Sequence, residues 1–297
     1  MNPLIKTPYR LSRLLPAAVL CVALIHTAAR AAEAAPLKVA ASILPLHGLV
    51  ANLVDEAALL DPLLPPTASP HHYALRPSQA RHLRQATVIF WFGPTLESVL
   101  ARPLAALPQG TRVISLLSPV EDGIQDPHVW LDPVKAKVMV ERISATLSEL
   151  DPARAGEYRR RATELLRRLD SLTAELDAAF APVRDEPFVT AHAAYAHLEH
   201  RFGLRALGAL TRGTDHAPGA RQLGRMRQAM ERTNARCLFA EPQYQPQSLL
   251  ILASETAARV VVVDPLGSAI QPGPDAYFVL MRQLAARMIS CLGRPTP

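Results

Sequence analysis

No internal repeat, collagen-like period or low-complexity tract occurs in these 297 residues, so solenoid, fibrous and compositionally disordered architectures are excluded. No apolar run reaches the roughly 20 residues needed to span a bilayer. The run at residues 14–25 follows Lys6, Arg10 and Arg13 and precedes Ala29-Arg30-Ala31, the small-x-small pattern that signal peptidase accepts. Residues 1–31 therefore read as a cleavable export signal rather than a membrane anchor. Cysteine is scarce, three in all, and Cys21 sits within that signal with Leu20 where a lipoprotein would need a small residue. Cys237 and Cys291 remain for the exported chain, in an oxidising compartment, either as one disulfide or as two free buried thiols. Excess charge is lacking too. The signal holds four cationic residues and no acidic one, so without it the formal net charge falls from +6 to +2. A nucleic-acid partner, which would need a basic face with interleaved aromatics, is not expected.

What the chain does have is an alternation of short Val-, Ile- and Leu-rich runs with longer amphipathic segments, the pattern of α/β units around mostly parallel sheets. Strands are predicted at 37–43, 58–64, 87–92 and 111–116 in the first half, and at 187–192, 204–210, 235–241 and 259–265 in the second. Between these sets, residues 151–183 contain no proline from Pro152 to Pro182 and repeat leucine at helical spacing, at Leu165, Leu166, Leu169, Leu172 and Leu176. Asp151 and Pro152 suit the N-cap and first helical position. The fold expected is α/β with two lobes, each a mostly parallel sheet flanked by helices, joined by one long connecting helix. The divisions are 1–31 for the signal, 32–150 for the N-terminal lobe, 151–183 for the connecting helix and 184–297 for the C-terminal lobe.

Ligands in open α/β sheets collect beyond the carboxyl ends of strands. Four polar side chains occupy such places: His71 after the second predicted strand, His128 after the fourth, His192 closing PFVTAH, and Asp264 closing RVVVVDP. Each half contributes two, as a cleft site requires. Three imidazoles and a carboxylate suit a borderline divalent cation, above all Zn2+. His72 points away from His71 if the stretch is extended. His197 and His200 read as a solvated or helix-capping pair on a helix. In QDPHVWLDP, the Asp-Pro pairs shape the loop, Asp132 and Pro133 start the next helix, Trp130 wedges the loop and His128 is left projecting.

These residues resemble the metal-binding solute-binding proteins of bacterial ABC importers for zinc and manganese, and within them the zinc-uptake, ZnuA-like type. The resemblance spans essentially the whole exported chain, through SPHHYALRPSQARHLRQATVIFWFGPTLE, DPHVWLDP, TAHAAYAHLEHRFGL, ARCLFAEPQYQP and VVVDPLG. It implies that His71, His128 and His192 are the first three metal ligands and that Asp264 takes the carboxylate position, where zinc-type relatives can use water or a nearby Glu instead. Manganese-type relatives typically carry Glu at the third position, so His192 argues for zinc. The resemblance further implies a periplasmic location, little hinge opening, an ABC permease in the inner membrane as partner, and a disulfide in the second lobe that fits Cys237 and Cys291. A monomer is expected. One departure is the short segment LLSPVEDGIQDPH, which lacks the His- and acid-rich loop of many zinc-type relatives and leaves room for a manganese- or iron-binding relative. A metallochaperone or adhesin would use the same binding fold. A zinc hydrolase would need a general base near a metal-bound water. No HExxH helix is present, and Glu241, the nearest candidate, is expected to bond loop backbone.

Overall fold

The structure, a computed structural model, describes residues 37–117, 123–211, 218–245 and 247–293. The expected signal at 1–31 lies outside the described residues. The first sheet consists of β1 (Val39–Ala41), β2 (Val88–Trp91) and β3 (Arg112–Ser115), paired in parallel in that order. The second has β4 (Phe188–His192), β5 (Ala206–Thr211), β6 (Cys237–Ala240) and β7 (Arg259–Val262), all parallel in the order β5-β4-β6-β7. Strands β2, β4 and β6 are buried along their whole length. Helices cover both faces of a parallel sheet, which is why VIFW and CLFA read as unbroken apolar runs rather than alternating ones.

Seven of the eight predicted strands form; the one at 58–64 does not. Leu59 makes a single parallel bridge to Val39. Beyond it the N–H groups of Leu60, Leu63 and Leu64 donate to the carbonyls of Val39, Ala41 and Ser42 at 2.9, 3.0 and 2.8 Å. The segment thus runs beside β1 without a continuous ladder, because Pro62 has no N–H to give and fixes its own φ. It still delivers the chain to the carboxyl end of the sheet, where His71 follows.

The helices are α1 (Leu44–Ala51), α2 (Pro77–Gln85), α3 (Ser98–Ala105), α4 (Pro133–Leu150), α5 (Ala155–Phe180), α6 (Ala196–Phe202), α7 (Ala220–Thr233), α8 (Gln247–Thr256) and α9 (Ala276–Leu292). The long connector is α5, and at about 1.5 Å per residue its length is near 40 Å. Short 3-10 turns at Pro152–Arg154 and Ala181–Val183 flank it, and Asp151 caps the first of these through the Arg154 N–H. Its buried side is Tyr158, Ala162, Leu165, Leu169, Leu172, Leu176 and Phe180, steps of three and four that place one stripe against the core. From its outer side, Arg168 donates to Asn52 Oδ1 at 2.8 Å, just past α1, and to Asp275 Oδ1 at 2.6 Å, just before α9.

One buried cluster contains Val39 and Phe90 of the first sheet, Phe188 and Phe239 of the second, and Ile143, Leu169 and Tyr277 of α4, α5 and α9. The two sheets cannot part as rigid halves without opening that shared core. Gly48 makes the closest approach possible, since a Cβ there would lie 2.8 Å from the Tyr277 backbone nitrogen.

Cys237, which opens β6, and Cys291, near the end of α9, are joined as a disulfide with their Cα atoms 5.9 Å apart. The bond cross-links residues 54 apart in sequence, a closure that constrains the unfolded chain by about 4 kcal/mol in the loop-entropy account. Reduction, or a Cys237→Ser/Cys291→Ser double change, is expected to lower unfolding stability by up to that amount, read from the midpoint of a urea titration.

Candidate metal centre

The segment from Asp126 to Asp132 is encoded with the first sheet but bonded to elements of the second half. Asp126 Oδ2 accepts the Ala196 N–H at 3.0 Å, and the Asp126 carbonyl accepts from His197 Nε2 at 2.7 Å, both at the start of α6. Trp130 is fully buried, donates from Nε1 to the Pro265 carbonyl at 2.9 Å, and accepts at its own carbonyl from Tyr277 Oη at 2.8 Å. Asp132 caps α4 through the Val134 N–H at 2.8 Å and receives Arg201 Nε and Nη2 at 2.8 and 2.9 Å. His128 thus sits on a backbone fixed from both sides. Its ring is fixed as well, because Nδ1 lies 2.6 Å from Asp126 Oδ1, which also accepts the His128 backbone N–H at 2.9 Å. A carboxylate that takes the Nδ1 proton leaves the Nε2 lone pair free for a metal. Burial tends to raise the Asp126 carboxyl, but the hydrogen bond and charge of His128 outweigh it and hold Asp126 ionised below its ordinary range.

His192 is the last residue of β4, and Glu241 directly follows β6. These two strands are neighbours at the point where the strand order of the second sheet reverses, the place where open α/β sheets bind ligands. Glu241 Oε1 lies 2.9 Å from His192 Nδ1 and accepts from Tyr195 Oη at 2.8 Å. The contact to His192 is close but not aligned as a hydrogen bond, so both ring nitrogens of this buried imidazole lack a hydrogen-bond partner. Burial lowers the proton affinity of His192, yet the Glu241 charge overrides it and the net shift is upward.

His71 completes the group from the loop before α2. Its Nε2 is 3.3 Å from His128 Nε2, and the rings of His71 and His192 have centroids 5.9 Å apart. Burial, and then the charges of His128, His192 and His72, push the His71 imidazole down to about 3, so it is neutral at physiological pH. One nitrogen from each of His71, His128 and His192 lies within 4.8 Å of the others. Nitrogens bound at about 2.0–2.1 Å around a tetrahedral zinc stand roughly 3.3–3.4 Å apart. The His71–His128 spacing already meets that requirement, and the unpartnered His192 nitrogens match a site whose polar groups are satisfied by an ion.

Asp264, the fourth predicted residue, lies beside this group and is not one of the converging ligands. Its Oδ1 accepts from Leu266 N, Gly267 N and Gln243 Nε2 at 3.0, 3.0 and 3.2 Å, and its Oδ2 from Ser268 N and Ser268 Oγ at 2.5 and 2.6 Å. The carboxylate shapes the turn after β7. His72 and His200 are exposed, as expected, but His197 is buried and bonded to Asp126 rather than solvated. Glu241 also departs from expectation, since its carboxylate faces Tyr195 and His192 instead of loop backbone. The backing roles of Asp126 and Glu241 went unread; an acidic residue two positions before a candidate ligand was the signal for the first, and the strand-end position of Glu241 in ARCLFAE was the signal for the second.

The family described as "ZnuA: Zinc-uptake complex component A periplasmic" matches residues 39–291. The chain belongs to the ZnuA family. Relatives named high-affinity zinc uptake system protein ZnuA include one from Brucella suis, 32% identical over 306 residues and covering 86% of this chain and 92% of that protein. Another, from Yersinia pestis, is 32% identical over 288 residues and covers 86% and 91%. Among solved structures, a ZnuA crystal structure superposes with a TM-score of 0.77 at 23% identity, covering 87% of this chain and all of the other. The laminin-binding protein of Streptococcus agalactiae, described as bifunctional with adhesin and metal-transporting activity, gives 0.76 at 26% identity over 86% and 99%.

For this ZnuA-family chain, Asp126→Asn is expected to weaken metal binding about 10- to 100-fold, the usual cost of losing a carboxylate behind a ligating imidazole. A competition titration against a chelator of known affinity measures it.

Proposed function

We propose that this protein is the periplasmic substrate-binding component of an ABC importer, capturing one Zn2+ between the two sheets and handing it to an inner-membrane permease. In this reading it acts as a monomer without a nucleic-acid partner, residues 1–31 direct export, and 32–150 and 184–297 are lobes joined by 151–183. His71, His128 and His192 supply three neutral imidazole ligands. Asp264 stays with its turn, and water completes the tetrahedron. The observation that carries the reading is the convergence of three imidazoles, two of them backed by carboxylates, with their nitrogens within 4.8 Å of one another and the His71–His128 pair at the spacing zinc requires. Membership of the zinc-uptake family supports it and sets a zinc hydrolase aside, since such components bind and deliver their substrate without transforming it. Nitrogen donors favour zinc over manganese, which prefers oxygen.

Each of His71→Ala, His128→Ala and His192→Ala is expected to weaken zinc binding by orders of magnitude, whereas Asp264→Asn lowers stability more than affinity. Calorimetric competition titrations and thermal melts of the same variants separate the two effects. Wild-type zinc affinity in His192→Ala would sink the ligand assignment.

The pH dependence has a definite sign, because only neutral imidazole binds metal. His192 is raised above its ordinary 6.5, so protons compete there first. His71, pushed down to about 3, takes a proton last. Affinity is therefore expected to be full at alkaline pH and to fall as pH drops through neutrality, with proton release on zinc uptake that titrations in buffers of different ionisation enthalpy detect.

A further inference from the structure

We propose that Gln243 is a positioning residue that latches the His71 segment over the metal cavity and thereby sets the rate of metal exchange, an inference that rests on the zinc-binding reading above. The shared core prevents the sheets from separating widely, so exchange requires a local movement. His128 and His192 are each 3% exposed, while His71 is only half-buried and lies at the mouth. Asp126 fixes the ring of His128 and Glu241 abuts that of His192, but the ring of His71 bonds His128 itself, so its place depends on the course of its own loop. His71 is the ligand that can leave.

Gln243 ties that loop down. The backbones of Glu241 and Tyr244 bond each other at 3.2 and 3.1 Å, forming a tight turn that directs the side chain of Gln243 to the cavity it shares with His71, His128 and His192. Its Nε2 donates to the Pro66 carbonyl at 2.8 Å, five residues before His71, and to Asp264 Oδ1 at 3.2 Å. Asp264 cannot follow a moving partner, because three backbone amides and the Ser268 hydroxyl hold it. One amide group thus joins the His71 segment to the fixed turn after β7. Its Oε1 is buried without a hydrogen-bond partner, so the amide has no competing acceptor-side bond to pull it elsewhere.

The test is stopped-flow transfer of zinc to excess chelator from the whole exported protein, comparing wild type with Gln243→Met, which keeps the volume but not the bond, and Gln243→Ala. Both variants lose the two Gln243 bonds, but only the neutral one to the Pro66 carbonyl restrains the His71 segment, so dissociation is expected to speed up about fivefold in both. Capture should quicken as well, so equilibrium affinity changes less than the dissociation rate, and the zinc-free melting temperature falls by no more than about 4 °C. Wild-type dissociation rates in both variants, with 1:1 zinc binding intact, would overturn the latch while leaving the zinc reading standing. Failure of the wild type to bind zinc at all would remove both. An accelerated rate matched by an equal loss of affinity would mark a general packing role and likewise overturn the latch.

Discussion

The bond between Asp126 and His128, 2.6 Å from carboxylate to imidazole, is the interaction on which the rest of the centre depends. The Asp126 carboxylate also joins the two halves of the molecule. The other oxygen of the same carboxylate holds the first turn of α6, so His128 is oriented by a group anchored to the second half. Trp130 and Asp132 repeat the arrangement a few residues later, through Pro265, Tyr277 and Arg201. A candidate ligand that follows the first sheet in the chain is therefore positioned by the second.

That cross-bonding makes the region between the two sheets mechanically stiff. Long helix α5 runs along a core shared by both sheets, and Arg168 ties the end of α1 to the start of α9. Stiffness fixes the spacing of the three imidazoles, which limits the reorganisation that binding an ion there would have to drive. Among the candidate ligands, His71 is the one whose ring has no carboxylate behind it.

Much of the architecture was legible in the sequence, and the failures have physical causes. Apolar runs at strand length and a proline-free leucine repeat located seven strands and the connector, since hydrophobic periodicity survives any tertiary context. Residues 58–64 were misread because leucine content outweighed Pro62, whose missing N–H decides whether a ladder can form. His197 was misread because a histidine on a short helix carries no mark of which neighbour will cover it.

The sequence by itself determined which residue types stand at the carboxyl ends of which strands, because strand ends follow from local patterns of apolar residues and turns. It therefore placed His192 at the end of its strand and His128 in the loop beyond its sheet, whereas the strand expected before His71 does not form. Only the tertiary structure decided that these three meet while Asp264 does not. A carboxylate at a strand end serves either an ion or the N–H groups of the following turn, and the amides of Leu266, Gly267 and Ser268 lie within hydrogen-bonding distance of Asp264. Local amides reach a side chain within four residues of themselves, whereas the imidazoles come from segments more than fifty residues apart and converge only when the two sheets share a core.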